Sequence, residues 1–312
     1  MENVKYIVFS GGGQKGLLFM GAIKALRQHT NFESILKNAR GFSGCSVGAI
    51  FAAMMIMGYT DEEMYEELSP VVSSFDNIAP QMDVSLFISR YGFDDGSTLK
   101  KSISNIIEFK GFSPEINLKN FQRFFKAEIS FNTTNLTTRE NVILSASTFP
   151  DLKLVDAIFM SMCVPLLFAP VLYKENFYVD GGCMCNIPDI YPVHETMIFC
   201  FDQANMNIDS WNSYVSMLLT IPMKLDFEKK QQMLNLCAFN MFLKTPPFLK
   251  DSLDRNITNV KVEKCLRYGY CQTIFKIHSN IIATMETLLK VVISAYLYSC
   301  EDSSIESAEC LL

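Results

Sequence analysis

The chain has 312 residues, 49% of them hydrophobic and 19% charged, with a formal net charge of −6. That is too apolar for a disordered chain, too acidic for a dedicated nucleic-acid binder, and long enough to bury a core in one large domain or two small ones. The three histidines (His29, His194, His278) stand far apart, and the ten cysteines include no CxxC pair, only Cys183-x-Cys185, which is poor zinc spacing, so no metal centre is expected.

Residues 4–9 form a short apolar run cut off by Ser10-Gly11-Gly12-Gly13, the pattern of a buried strand entering a turn. The run is too short for a secretory signal core, which sets the expectation of a cytoplasmic protein with reduced thiols. Leu17–Gln28 has helical apolar spacing, and Gly41–Gly44 reads as a second strand. Val47–Tyr59 is apolar for 13 residues, a core helix rather than a membrane span. Thr60-Asp61-Glu62-Glu63 is a capping box opening a helix that runs to about Leu68. Ser97 is placed as the cap of a helix carrying Leu99, Ile103 and Ile107, and Asn117 as the cap of one carrying Phe121, Phe124 and Phe125. Strands are expected at 128–132, 141–145, 177–179 and 197–201, with a helix at 157–162 before Pro165. Strands alternating with helices predict an α/β fold with a mostly parallel central sheet flanked by helices. Beyond about residue 205 the pattern turns helical, residues 281–300 read as an amphipathic helix, and the acidic tail from Glu301 to Glu309 is expected to be disordered.

Three motifs carry chemistry. Gly11-Gly12-Gly13-Gln14-Lys15-Gly16 sits between a strand and a helix, where backbone N–H groups and the helix dipole favour an anion. Its Gly11, Gly13 and Gly16 also satisfy the dinucleotide-binding spacing, although the strand expected before Glu33 is missing; Leu17 after Gly16 excludes a Walker A loop. The loop alone leaves nucleotide binding, oxyanion binding and a structural turn open. Gly44-Cys45-Ser46-Val47-Gly48 has the spacing of a nucleophile elbow, with Gly44 and Gly48 relieving clashes around an exposed serine. Asp180-Gly181-Gly182 ends an apolar strand, and is either a tight turn or a carboxylate delivered at a strand end.

Taken together, and in this order, the three motifs resemble the patatin-like phospholipases. Ser161-Met162-Cys163-Val164-Pro165-Leu166-Leu167-Phe168-Ala169-Pro170 looks like that family's Ser…Pro…Phe-x-Pro stretch, and Asn186 and Pro188 match its Asn-x-Pro. The resemblance covers residues 4–200. It implies the family's three-layer fold, with residues 1–204 as the catalytic domain and 205–312 as a helical region that can pack on the same core. It also implies a lipid acyl hydrolase of phospholipase A type. Ser46 would be the nucleophile, Asp180 the base, and the N–H groups of Gly11, Gly12 and Gly13 the oxyanion hole, with Gly12 and Gly13 foremost. Lys15 would either add a positive field for a lipid phosphate or be a solvated helix-start residue. A non-catalytic lipid-binding or scaffold protein of the same fold and a Rossmann-type nucleotide binder are the alternatives.

A Ser–Asp dyad needs no histidine, whereas a hydrolase triad would need His194 or His278, one read as a loop residue and the other as part of an amphipathic helix. Cys45 is read as the small packed residue of the elbow rather than a thiol nucleophile. The 25 Phe and 17 Met are read mainly as core, with a remainder available for an acyl pocket. Residues 224–267 carry nine Lys and Arg against five Asp and Glu, a weak pointer to peripheral contact with a membrane that supplies the phospholipid.

Overall fold

In the computed structural model, residues 1, 3–78, 84–202, 208, 211–246, 249 and 261–279 are described. The central sheet grows from four parallel strands: β1 (Tyr6–Phe9), β2 (Gly41–Cys45), β4 (Glu128–Asn135) and β9 (Thr196–Phe201). β1 lies between β9 and β2, and β2 pairs on its other side with β4. β8 (Asn176–Asp180) and β5 (Glu140–Ser145) both run antiparallel to β4, and β7 (Val171–Tyr173) closes that edge on β8. β3 (Gly92–Asp94) and β6 (Leu166–Phe168) form a separate two-stranded sheet.

The strands alternate with helices α1 (Leu17–His29), α3 (Val47–Ile56), α4 (Asp61–Ile78), α6 (Ser97–Phe109), α7 (Leu118–Phe125) and α8 (Leu154–Met162), with short α2 (Phe32–Asn38) and α5 (Val84–Arg90) between them. Both faces of the sheet are covered, and the residue alternation shows how. Ile7, Phe9, Met197, Phe199 and Phe201 point into the main core, while Val8, Ile198 and Cys200 point into a smaller cluster with Ile187 and Leu234. The second cluster sits under α9 (Trp211–Leu236). Nine of the ten residues of α3 are buried, and no described helix is long and apolar enough to cross a membrane. Much of the phenylalanine content is core: Phe9 stacks on Phe199 and Phe19 on Phe201, with Phe51 against both Phe9 and Phe19.

Two local expectations are met at the atomic level. Thr60 N–H donates to Glu63 Oε2 and Glu63 N–H to Thr60 Oγ1, the reciprocal pair of a capping box, although α4 runs ten residues beyond Leu68. Asn117 Oδ1 caps α7 by accepting from Asn120 N–H at 2.9 Å. Two others are corrected. Ser97 is the first residue of α6 rather than its cap: Gly96 holds that position at φ 77°, and Asp95 accepts the Ser97 N–H. The region after 205 is not wholly helical. Phe239–Leu243 forms β10, which joins the sheet parallel to β9, because Phe239, Met241 and Leu243 alternate inward over five residues. A further helix over 261–279 packs on α1 so closely that a Cβ on Gly21 would lie 2.0 Å from Leu266 O. The expectations for 281–300 and for the tail lie outside the described residues.

Candidate active site

Ser46 is the hinge between β2 and α3. Its φ of 53° and ψ of −127° place a non-glycine residue in a region that costs about 1–3 kcal/mol, and its neighbours hold it there. A Cβ on Gly44 would lie 2.2 Å from Gly48 O, and one on Gly48 would lie 2.3 Å from Phe9 O, so both flanking positions accept only glycine. The Ser46 N–H donates to the buried Oγ of Ser161 at 3.0 Å, which pins the elbow from α8.

Strand register brings the carboxylate to the serine. Cys45 pairs with Asn132 of β4, and the next residue, Thr133, pairs with Asp180 of β8. Ser46 and Asp180 therefore flank β4 at one level, with Asp180 arriving on an antiparallel strand. The same end of α8 holds both groups, since Asp180 N–H donates to Cys163 O at 2.7 Å.

Asp180 is 2% exposed. Gly182 N–H donates to its Oδ1 at 2.7 Å, while Oδ2 accepts no well-formed hydrogen bond. Burial pushes the carboxyl up from 3.8 to about 6, against the opposing pull of the Ser46 hydroxyl and the Gly182 N–H. The Ser46 hydroxyl thus faces the carboxylate closely enough to favour its charge without a well-aligned bond to Oδ2. A base with a value near 6 is mostly ionised at neutral pH and still takes up a proton readily.

The glycine loop completes the arrangement. A Cβ on Gly11 would lie 3.1 Å from Ser46 Cβ and 2.4 Å from Asn186 Oδ1, so only a bare backbone passes between them. The Gly11 N–H is committed to Asn186 O at 3.2 Å. Among the described residues, the N–H groups of Gly12 and Gly13 donate to no protein acceptor, and Gly13 takes φ 55° to start the turn into α1. Lys15 is buried, at 7% exposure, so it is not a solvated helix-start residue.

A narrow cleft of about 40 Å³ opens beside Ser46, walled by Leu17, Phe51, Leu68, Met162 and Val164 and by Gly13 of the glycine loop; its lining is apolar, but its volume is far short of the roughly 300–1,000 Å³ of a ligand pocket. A larger groove of about 670 Å³ lies elsewhere, between α1, α4 and the 261–279 helix, and touches neither Ser46 nor Asp180. Burial, with the Asp180 charge adding to it, raises the thiols of Cys45 and Cys163 well above the usual range and that of Cys183 to about 12, so these thiols are neutral and poor nucleophiles. His194 and His278 are exposed, and His29 bonds to the Tyr270 hydroxyl at 2.8 Å. No group of three or more His, Cys, Asp or Glu among the described residues is arranged to hold a metal ion.

Two contributors, Ser161 and Asn186, carry little local signature of their role in the sequence. Ser161 was part of the family-like stretch without a role, and Asn186 only a match in an Asn-x-Pro. A small polar residue inside an otherwise apolar helix, Ala157–Met162, was the available signal for Ser161.

The α/β sandwich thus brings a strained serine elbow, a buried aspartate and a glycine loop together beside the central sheet. The sequence profile described as Patatin-like phospholipase matches residues 7–190, and the chain belongs to that family. It is 28% identical over 193 residues to "Probable lipid hydrolase 463L" of Invertebrate iridescent virus 6, covering 59% of this chain and 61% of that one. It is 25% identical over 184 residues to the human 1-acylglycerol-3-phosphate O-acyltransferase PNPLA3, covering 58% of this chain and 34% of that protein. The matched segment thus spans less than two thirds of either relative. In fold, the chain is similar to VipD from Legionella pneumophila, with a TM-score of 0.53 at 16% identity over 89% of this chain and 67% of that one.

Proposed function

We propose that the protein hydrolyses lipid acyl esters, phospholipids first among them, through an acyl-enzyme on Ser46. The observation that carries this reading is Asp180: buried, level with Ser46 across β4, and raised to about 6. Asp180 takes the Ser46 proton as Oγ attacks the ester carbonyl, and the tetrahedral oxyanion forms against the free N–H groups of Gly12 and Gly13. The proton then passes to the departing alcohol, and Asp180 next deprotonates the water that releases the fatty acid. Gly11 shapes the loop rather than donating, because its N–H is already taken. The N-terminus of α3 beneath Ser46 adds a favourable dipole. In this reading Lys15 adds a positive field for a lipid phosphate, and the narrow apolar cleft takes the first methylenes of the acyl chain.

We read residues 1–204 as the catalytic part, with the described residues of the C-terminal region packed on the same core. The protein works from the cytoplasmic aqueous phase at a membrane that supplies its substrate, without metal or cofactor. Transfer of the acyl group to an acceptor other than water uses the same acyl-enzyme, and the acyltransferase name of the human relative keeps that acceptor a matter for product analysis.

The test is product analysis on phospholipid vesicles. Wild type is expected to release free fatty acid and lysophospholipid, and Ser46→Ala neither. A His194→Ala/His278→Ala double variant is expected to keep its kcat within about twofold, since both rings are remote surface groups. Loss of turnover in that variant while it stays folded would replace the dyad with a triad.

A further inference from the structure

The family match ends at residue 190, yet α9, some twenty residues beyond it, reaches back to the glycine loop through two successive pairs of bonds. The first pair grips Ile187. Its N–H donates to Asp226 Oδ2 at 2.9 Å, and its C=O accepts from Lys230 Nζ at 2.6 Å. Asp226 and Lys230 stand four residues apart on α9 and bond each other at 2.9 Å, so one ion pair holds both polar groups of residue 187. Lys230 also reaches Cys185 Sγ at 3.0 Å and Asp189 Oδ2 at 3.3 Å, on either side of the gripped residue. The second pair links the adjacent residue, Asn186, to Gly11: Asn186 O accepts the Gly11 N–H at 3.2 Å, and Asn186 Nδ2 donates to Gly11 O at 3.3 Å. Asp226 and Asn186 are both buried, at 7% and 3% exposure.

The chain of contacts thus runs from the α9 ion pair to residues 186 and 187 and then to Gly11, the residue immediately before the two free N–H groups. We infer that Asp226 and Lys230 are positioning residues that hold the glycine loop in register with Ser46, so that the catalytic unit is incomplete without α9. This rests on the reading of Gly12 and Gly13 as the oxyanion hole. An oxyanion donor acts only when it is aimed at the developing charge, so a small displacement of the loop weakens the transition state far more than it weakens ground-state binding, in which that charge has not yet formed.

The experiment compares wild type, Lys230→Met and Lys230→Met/Asp226→Asn as full-length proteins. The double variant removes the unpaired buried charge that the single one leaves. A fluorophosphonate titration counts competent active sites, so kcat on a soluble short-chain ester is expressed per competent site. Both variants are expected to lose at least about tenfold in kcat per site with KM within about twofold. Amide hydrogen exchange over residues 9–16 is expected to rise while exchange over residues 196–201 stays unchanged. Wild-type kcat per site in the double variant would make the pair a scaffold contact only, and unchanged exchange over 9–16 in a folded variant would equally overturn the inference. If wild type itself shows no turnover, the hydrolase reading fails, and exchange still decides whether α9 holds the loop.

Discussion

Replacing Asp180 by Asn is expected to lower kcat by about 10⁴-fold while making the protein more stable at neutral pH. The first effect follows because an amide cannot accept the Ser46 proton. The second follows from burial. The carboxyl value in the folded state, about 6, lies above its unfolded value of 3.8, so the folded protein binds this proton more tightly. The resulting stabilisation is complete below about pH 4 and is lost as pH rises through 6, leaving an ionised carboxylate buried at pH 7 at a cost of about 3 kcal/mol. Asn keeps the shape and the acceptor for the Gly182 N–H without the charge. Thermal unfolding at pH 7.5 should therefore give a higher Tm for Asp180→Asn than for wild type, with the difference closing near pH 4. In wild type, kcat should fall on the acid side with an apparent pKa near 6. A variant that is both inactive and less stable at pH 7.5 would contradict this account of the carboxyl.

Gly48→Ala is expected to cost about 3 kcal/mol and to displace Ser46, the upper range for forcing one methyl into a packed interior. The new Cβ would lie 2.3 Å from Phe9 O and 2.6 Å from Ser10 O. Both are main-chain atoms at the end of β1, so relief comes only by moving α3 off the sheet, and Ser46 is the residue before α3's first turn. Gly58→Ala is the control. Gly58 has φ 70° but nothing within 4 Å, so it carries only the left-handed backbone penalty of about 1 kcal/mol. Urea unfolding curves and activity per milligram should separate the two, and equal effects would show that the elbow tolerates a side chain.

The contrast between those glycines marks what the sequence could and could not disclose. The elbow at Gly44-x-Ser46-x-Gly48 is legible as geometry, because close main-chain approach at both flanks demands glycine and the spacing records it. Asp180 was legible as a residue but not as a position. It reaches Ser46 through the register of β4, a pairing between strands whose partners no local pattern identifies. The demotion of Gly11 from donor to spacer could not be read either, since it depends on a carbonyl 175 residues later in the chain. β10 was missed because five residues with three inward apolar positions look the same in a helix or a strand until β9 offers an edge. Asp226 and Lys230 share the i, i+4 spacing of any helical surface pair, and only their grip on Ile187 distinguishes them.

Mass spectrometry after reaction with a fluorophosphonate probe decides whether Ser46 is a nucleophile activated by Asp180 without histidine. One covalent adduct is expected, mapped to Ser46, formed at the wild-type rate in His194→Ala/His278→Ala and slowed by orders of magnitude in Asp180→Asn. A folded, active protein that carries the adduct elsewhere, or that labels equally fast without the Asp180 carboxylate, would contradict it.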